Sequence, residues 1–355
     1  MDCAPLQVIG LGAQTPLGRS AWASAAAARA GLCGFAEHPF IVDTVGEPMR
    51  IARVPWIGFE VQGVERYAAL LFPAIEEAIA GLVATAGLVP LRLGLTLALP
   101  PPRPGRPVNL GDALLALIAV RCPGRFTSCE TCEVGHAAGH LGFDTAMRGL
   151  AAAALDAYVI CGVDSYLAPE TLEWIDACDQ LHGGGPLNNA WGFIPGEAAA
   201  AVLVGHQALA QRFGLDVWAD IVGIGTGLES KRIKTEEVCI GQGLTDAFRG
   251  ALRVLAPGEQ IQMIYCDLNG EPYRADEYGF TALRTREHLL AAADFVAPAD
   301  CWGDVGAAGG PLHIALATIA HCKRYGKGPL TMVWASSESG ERGAAIVRAC
   351  KPLEA

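Results

Sequence analysis

The stretch CEVGHAAGHLG, residues 132–142, concentrates the residue types with most chemical capacity. His136 and His140 stand four apart, and Cys132 precedes His136 by the same step, with Cys129 three residues earlier. Two cysteines and two histidines can bind zinc; a cysteine can attack a thioester; a histidine can act as base, nucleophile or ligand. The spacings are too tight for a zinc finger. The small apolar residues over 136–154 instead predict a fully buried helix, on which residues four apart share a face. On that helix His140 is a satisfied core residue. His136, at its N-terminus, is expected as a neutral imidazole, because the helix dipole opposes a cation there.

The chain has 355 residues, of which 52% are hydrophobic and 18% charged, with 43 glycines. That length allows one large domain or two ordinary ones, and that composition is a densely buried globular protein. The net charge is −11. Lys231-Arg232-Ile233-Lys234 and the stretch 321–327 are small basic spots on an acidic body, which disfavours nucleic acid as a partner. No uninterrupted apolar run reaches about 18 residues, so no membrane span is expected. The N-terminus enters a strand-like run directly, with no signal peptide, which points to a cytoplasmic setting. Cys161, Cys266 and Cys322 lie in apolar runs and read as core residues of a reducing compartment.

Positioning falls to an alternation of strands and helices. QVIGLGA (6–12), 91–100, 125–131, 156–165 and 198–206 read as strands, with helices over 19–31, 67–82 and 110–120 between them. The pattern restarts at ADIVGIGTG (219–227), followed by a helix at 244–255, strand 261–269, a helix at 275–293, strand 294–298, a helix at 306–324, and strands 330–337 and 343–349. Strands apolar at every position predict a sheet covered on both faces. Two such runs predict a duplicated layered α/β unit, with halves 1–210 and 211–355. GLGAQTPLG is a poor dinucleotide fingerprint, since Thr15 replaces its third glycine.

In this order the segments resemble the β-ketoacyl synthases, condensing enzymes of the thiolase-like superfamily. VIGLGAQTPLGRSAWASAAAARAG is similar to their opening strand, loop and helix. VICGVDSYLAPETLEWIDACDQLHGG with WGFIPGEAAAAVLV is similar to their glycine-rich strand and glycine-glutamate segment. CWGDVGAAGGPLHIALATI and WASSESGERGAAIV are similar to their last catalytic loop and closing hairpin. The resemblance spans nearly the whole chain and implies a five-layer α/β/α/β/α fold of two repeats.

The family's chemistry implies a cysteine nucleophile at a helix N-terminus and two histidines from the second half. Aligned without gaps, the cysteine position falls on His136 and the histidine positions on Asp267 and Gly303. The family's lysine falls on Pro298 and its gating phenylalanine near Ser339. Glu197 matches a structural glutamate. Cys132 becomes the nucleophile only if one helical turn of four residues is inserted after it.

Three expectations follow. The first is a synthase-like protein of fatty-acid or polyketide type without condensing activity. It would work as a homodimer or as a heterodimer with an active synthase, with an acyl carrier protein or acyl-CoA as a further partner. Dimerisation would pair the strand FTSCET across a two-fold axis. The second is an acyl-thioester transferase or hydrolase in which Asp267 orients His136, with Asn269 at the end of the same strand facing the same pocket. The third is a redox or metal module at Cys129 and Cys132. Neither the first nor the second involves a cofactor or a metal.

Overall fold

The computed structural model describes residues 4–350 except Leu88, Ala153, Ile233, Lys234 and Glu236, so half of the basic spot at 231–234 lies outside the described residues. The first run of elements is β1 (Leu6–Gln14), α1 (Ala21–Arg29), β2 (Ala36–Val42), β3 (Pro48–Ile51), α2 (Gly63–Ala86), β4 (Leu93–Ala98), α3 (Leu110–Arg121), β5 (Phe126–Cys132), α4 (Ala138–Ala151), β6 (Ala157–Ser165), α5 (Pro169–Ala177), β7 (Glu197–Gly205) and α6 (Gln207–Phe213). The second run is β8 (Ala219–Leu228), α7 (Gln242–Leu252), β9 (Met263–Cys266), α8 (Pro272–Arg284), β10 (Phe295–Val296), α9 (Ala299–Trp302), α10 (Gly309–Cys322), β11 (Leu330–Ser336) and β12 (Glu341–Ala349).

Ten strands form one sheet in the order β10-β9-β11-β12-β8-β1-β7-β6-β4-β5. Read outward from the β1–β8 seam, each side has the same sequence of neighbours. β1 and β7 are antiparallel, as are β7 and β6, while β4 runs parallel to β6 and β5. β8, β12, β11, β9 and β10 repeat that pattern. β2 and β3 form a separate hairpin, which the sequence reading did not anticipate.

β6, β7 and β11 are buried at every position, as expected of strands that are apolar along nearly their whole length. Between the two halves of the sheet lie α4 and α10, whose Phe143, Ala146, Leu312 and Leu316 share one core with β1, β6, β7 and β12. α2 packs on the outer face of the first half, with Leu70, Leu71, Ile75 and Ile79 in a second core. α7 covers the outer face of the second half through Leu244, Phe248 and Ala251. The layers therefore run α/β/α/β/α.

α2 is also long and apolar enough to cross a membrane, and it is the one such helix among the described residues. Half of its most apolar stretch is buried inside the fold. Two helix ends differ from the sequence reading. The helix expected over 275–293 is α8, which stops at Arg284. The helix expected from 306 begins with a 3-10 turn at Gly306–Ala308 before α10 proper.

Candidate functional site

His136 sits in the turn between β5 and α4, just after Gly135, whose φ of 81° lets the chain reverse. The loop between β11 and β12 closes over this turn: Ala137 N donates to Ser337 Oγ at 2.9 Å, and Ser339 Oγ reaches Val134 O at 3.5 Å. The imidazole is 8% exposed. Its Nε2 lies 2.9 and 3.0 Å from the two carboxylate oxygens of Asp304. A carboxylate only accepts, so Nε2 carries the proton and donates.

The Asp304 carboxylate accepts two further hydrogen bonds. Gly306 N donates to Oδ1 at 2.7 Å, and Asn269 Nδ2 donates to Oδ2 at 2.6 Å. Gly303 before it has φ 72°, and a Cβ there would stand 2.3 Å from Ile194 O. A side chain is therefore excluded at the position to which the resemblance assigns a histidine. The next residue, Asp304, projects into the site instead.

Arg274, in the first turn of α8, is fully buried. Its Nη1 donates to Asp267 Oδ2 at 2.8 Å and to Ser336 O at 2.7 Å, and its Nη2 stands 3.3 Å from His136 Nε2. Asp267 also accepts from Ser336 N at 2.7 Å. Asp267 thus serves Arg274 and the β11 end; the acid that orients His136 is Asp304. The expectation of a His136–Asp267 pair fails because the guanidinium stands between the strand end and the imidazole. Asn269 does reach the site, through Asp304, while its Oδ1 accepts from Glu271 N at 3.1 Å.

The protonation expected of His136 also changes. Burial is the largest influence and works against its charge, as does Arg274, but the charge and hydrogen bond of Asp304 together with the charge of Asp267 outweigh them, so the pKa of His136 is raised. Burial works in the opposite sense on Asp304, yet His136 and Arg274 hold it well below the usual carboxylate range. The surroundings thus favour the protonated ring, where the helix dipole alone favours a neutral one.

The rest of the cluster is similarly paired. Gln180 Nε2 donates to Glu271 Oε1 at 2.8 Å and to Glu338 Oε1 at 3.0 Å. Arg103 Nη2 binds Asp164 Oδ1 at 2.5 Å, and its guanidinium lies 4.0 Å over the Tyr166 ring. These groups line a cleft of about 160 Å³ beside His136. On the other side of the imidazole only about 20 Å³ remains, between Asp304, Cys266 and His313. Side chains fill the space.

Cys132 ends β5, opposite Ala98 of β4, and does not open a helix. Burial and Glu341 push its thiol up to about 11, the reverse of what a nucleophile needs. Cys129 lies three residues away on the same strand, so the two thiols point to opposite faces. That geometry removes the shared metal or redox site. Pro298 is buried before α9 and supplies no cation. His140 is completely buried; neither ring nitrogen makes a well-formed hydrogen bond. Burial pushes its pKa down to about 4, against a weaker pull from the Val333 backbone. Glu197 takes a two-pronged contact from Arg66 at 2.6 and 2.7 Å, as well as Ser165 Oγ and Val54 N, both at 2.8 Å. Asp304 and Arg274 were not legible as site residues. Their only sequence signals are a lone acid in a run of small residues and a charge at a helix start.

Two antiparallel-seamed half-sheets clasping two buried helices, with the site where the β5–α4 turn meets the loops after β9 and before α10, define the thiolase-like fold of condensing enzymes. Solved ketosynthases share it. A ketosynthase bound to its type II polyketide acyl-carrier protein and a hexaketide superposes with TM-score 0.80 at 14% identity, covering 98% of this chain and 99% of that one. The ishigamide ketosynthase/chain length factor gives 0.75 at 16%, covering 98% and 99%. The module 6 ketosynthase of the Bacillus subtilis 168 bacillaene synthase gives 0.77 at 14%, covering 98% and 73%. At these identities the likeness is one of fold. Neither a protein-family model nor a curated protein matches the sequence.

Proposed function

We propose that this ketosynthase-like protein does not condense acyl groups, and acts as a homodimer or as the partner of an active synthase in fatty-acid or polyketide metabolism. One observation carries the reading: His136, to which the resemblance assigns the nucleophile position, is already engaged by Asp304 within a buried ionic cluster. The resemblance assigns the two histidine positions to Asp267 and Gly303, and Asp267 is committed to Arg274. An acyl carrier protein or acyl-CoA remains the natural small partner, and the cytoplasm the natural setting. β5 supports the dimer part of the proposal. It is the outer strand of the sheet, and its residues 127–131 are exposed, a free edge of the kind that recruits another strand. The repeated strand order supports halves of 1–210 and 211–355. Purified protein should release no carbon dioxide from malonyl thioesters and form no β-ketoacyl product; either activity would overturn the proposal.

A second reading has a specific basis. The His136–Asp304 dyad leaves Nδ1 without a hydrogen-bond partner among the described residues, beside the 160 Å³ cleft. Such a dyad can serve as general base for acyl-thioester transfer or hydrolysis once the ring is neutral. Turnover would then rise with pH through the raised pKa of His136 and vanish in His136→Ala. Equal turnover by that variant would reject it.

A further inference from the structure

A cavity of about 330 Å³ lies away from His136. It shares no lining residue with the cleft beside that imidazole. It opens between the β2–β3 hairpin and the N-terminal turns of α2 and α5, and its volume falls within the usual range for a small-molecule site.

Its apolar wall is formed by Phe59, Ile41, Val61 and Leu167. Its polar end rests on His38, which is 5% exposed. Phe40 N and Ile41 N both donate to His38 Nδ1, at 3.1 and 2.9 Å. The neutral ring therefore carries its proton on Nε2. That N–H has no hydrogen-bond partner among the described residues, and the ring lines the cavity. α2 starts at the same end. Its N-cap Gln62 makes no side-chain cap bond, so the N–H groups of its first turn keep no intrahelical acceptor. Two arginines, Arg53 and Arg66, act on this ring, while Glu65 in the first turn of α2 is exposed. Burial, then Arg53 and Arg66, hold His38 below its ordinary pKa. Arg66 is neutralised by Glu197, but Arg53 has no carboxylate partner among the described residues. Glu170, in the first turn of α5, is the one acid on the lining.

We propose that this cavity binds a small amphipathic carboxylate. The carboxylate sits between His38 Nε2–H and the first turn of α2, and the hydrocarbon body lies along Phe59, Ile41, Val61 and Leu167. Donors from a buried ring and a helix N-terminus suit an anion, and the remaining wall suits an apolar chain. The inference is independent of the role given to His136.

Calorimetric titration of the full chain with octanoate, octanamide and acetate tests it. Octanoate should bind at one site, with octanamide and acetate each weaker by about tenfold or more, the effect of losing one charge-assisted hydrogen bond or most of the apolar contact. In His38→Asn the amide oxygen can replace Nδ1 as the hairpin's acceptor while the Nε2–H is lost, so octanoate should weaken by about tenfold with the fold retained. Val61→Trp should block the cavity and abolish binding. Absence of octanoate binding, equal binding of octanoate and octanamide, or undiminished octanoate binding in folded variants would overturn the proposal.

Discussion

His136 Nε2 donates to Asp304, with 2.9 Å to Oδ1, across the interface between the two halves of the sheet. The two residues are 168 positions apart in the chain. Arg274 completes a buried ionic cluster in which each charge depends on another. Removing one partner from such a cluster strands the rest away from water.

Asp304→Asn should therefore cost about 3–5 kcal/mol of stability, as breaking a buried ion pair does. The pKa of His136 should fall at the same time, because the main influence opposing burial and Arg274 is then removed. Chemical denaturation and an NMR titration of the His136 ring measure the two effects; an unchanged pKa would mean that Asp304 does not hold the proton.

Restoring the nucleophile should not restore condensation. His136→Cys supplies a thiol but leaves Asp267 and Gly303 at the positions to which the resemblance assigns the histidines, and it removes the imidazole donor from Asp304. The expected result is no β-ketoacyl product and a lower melting temperature, read by product assay and calorimetry.

Stability should fall on the acid side of pH 6.5. Burial holds the pKa of His140 at about 4 and, with the neighbouring histidines, that of His313 at about 3. Between about pH 6.5 and 4 the unfolded chain takes up protons that the folded chain refuses, so folding weakens as pH falls. For His140 the loss by pH 4 is roughly 3 kcal/mol. His136 acts in the opposite sense: its raised pKa adds stability below pH 6.5 that disappears as pH rises through the folded value. Urea unfolding at pH 7 and pH 5 should show the loss, and His140→Leu should reduce it.

A dimer built on the β5 edge should be broken by Ser128→Pro, which removes a ladder donor and stiffens the exposed strand. Light scattering should then move from twice the 37.1 kDa chain mass to one. A wild-type protein that already measures as one chain would remove the dimer from the proposal.

Cys129 and Cys132 should not form an internal disulfide under mild oxidation, because the strand points them apart. Thiol labelling should reach exposed Cys129 first and Cys132 slowly, while Cys161 and Cys266 should react only on unfolding. A 129–132 disulfide found by mass spectrometry would contradict the strand assignment.

The sequence by itself determined the layered scaffold. Strands apolar along nearly their whole length, such as β6 and β7, have no solvent face, and small residues such as those of α4 favour burial, so local pattern carries this part of the fold. It also located His136 at the head of the buried helix, because chain order and short spacings carried that position. It could not see the hairpin β2–β3, whose residues are mostly exposed and only weakly patterned. Nor could it choose between Asp267 and Asp304 as the partner of His136. Both are acids near loop ends of the second half, and counting along the chain favoured the wrong one. The decision rests on backbone geometry: Gly303 can turn only without a side chain, which aims Asp304 at the imidazole, while Arg274 rises from α8 to claim Asp267. Contacts over 168 and 138 residues, and the protonation that follows from them, exist only once the two halves have packed.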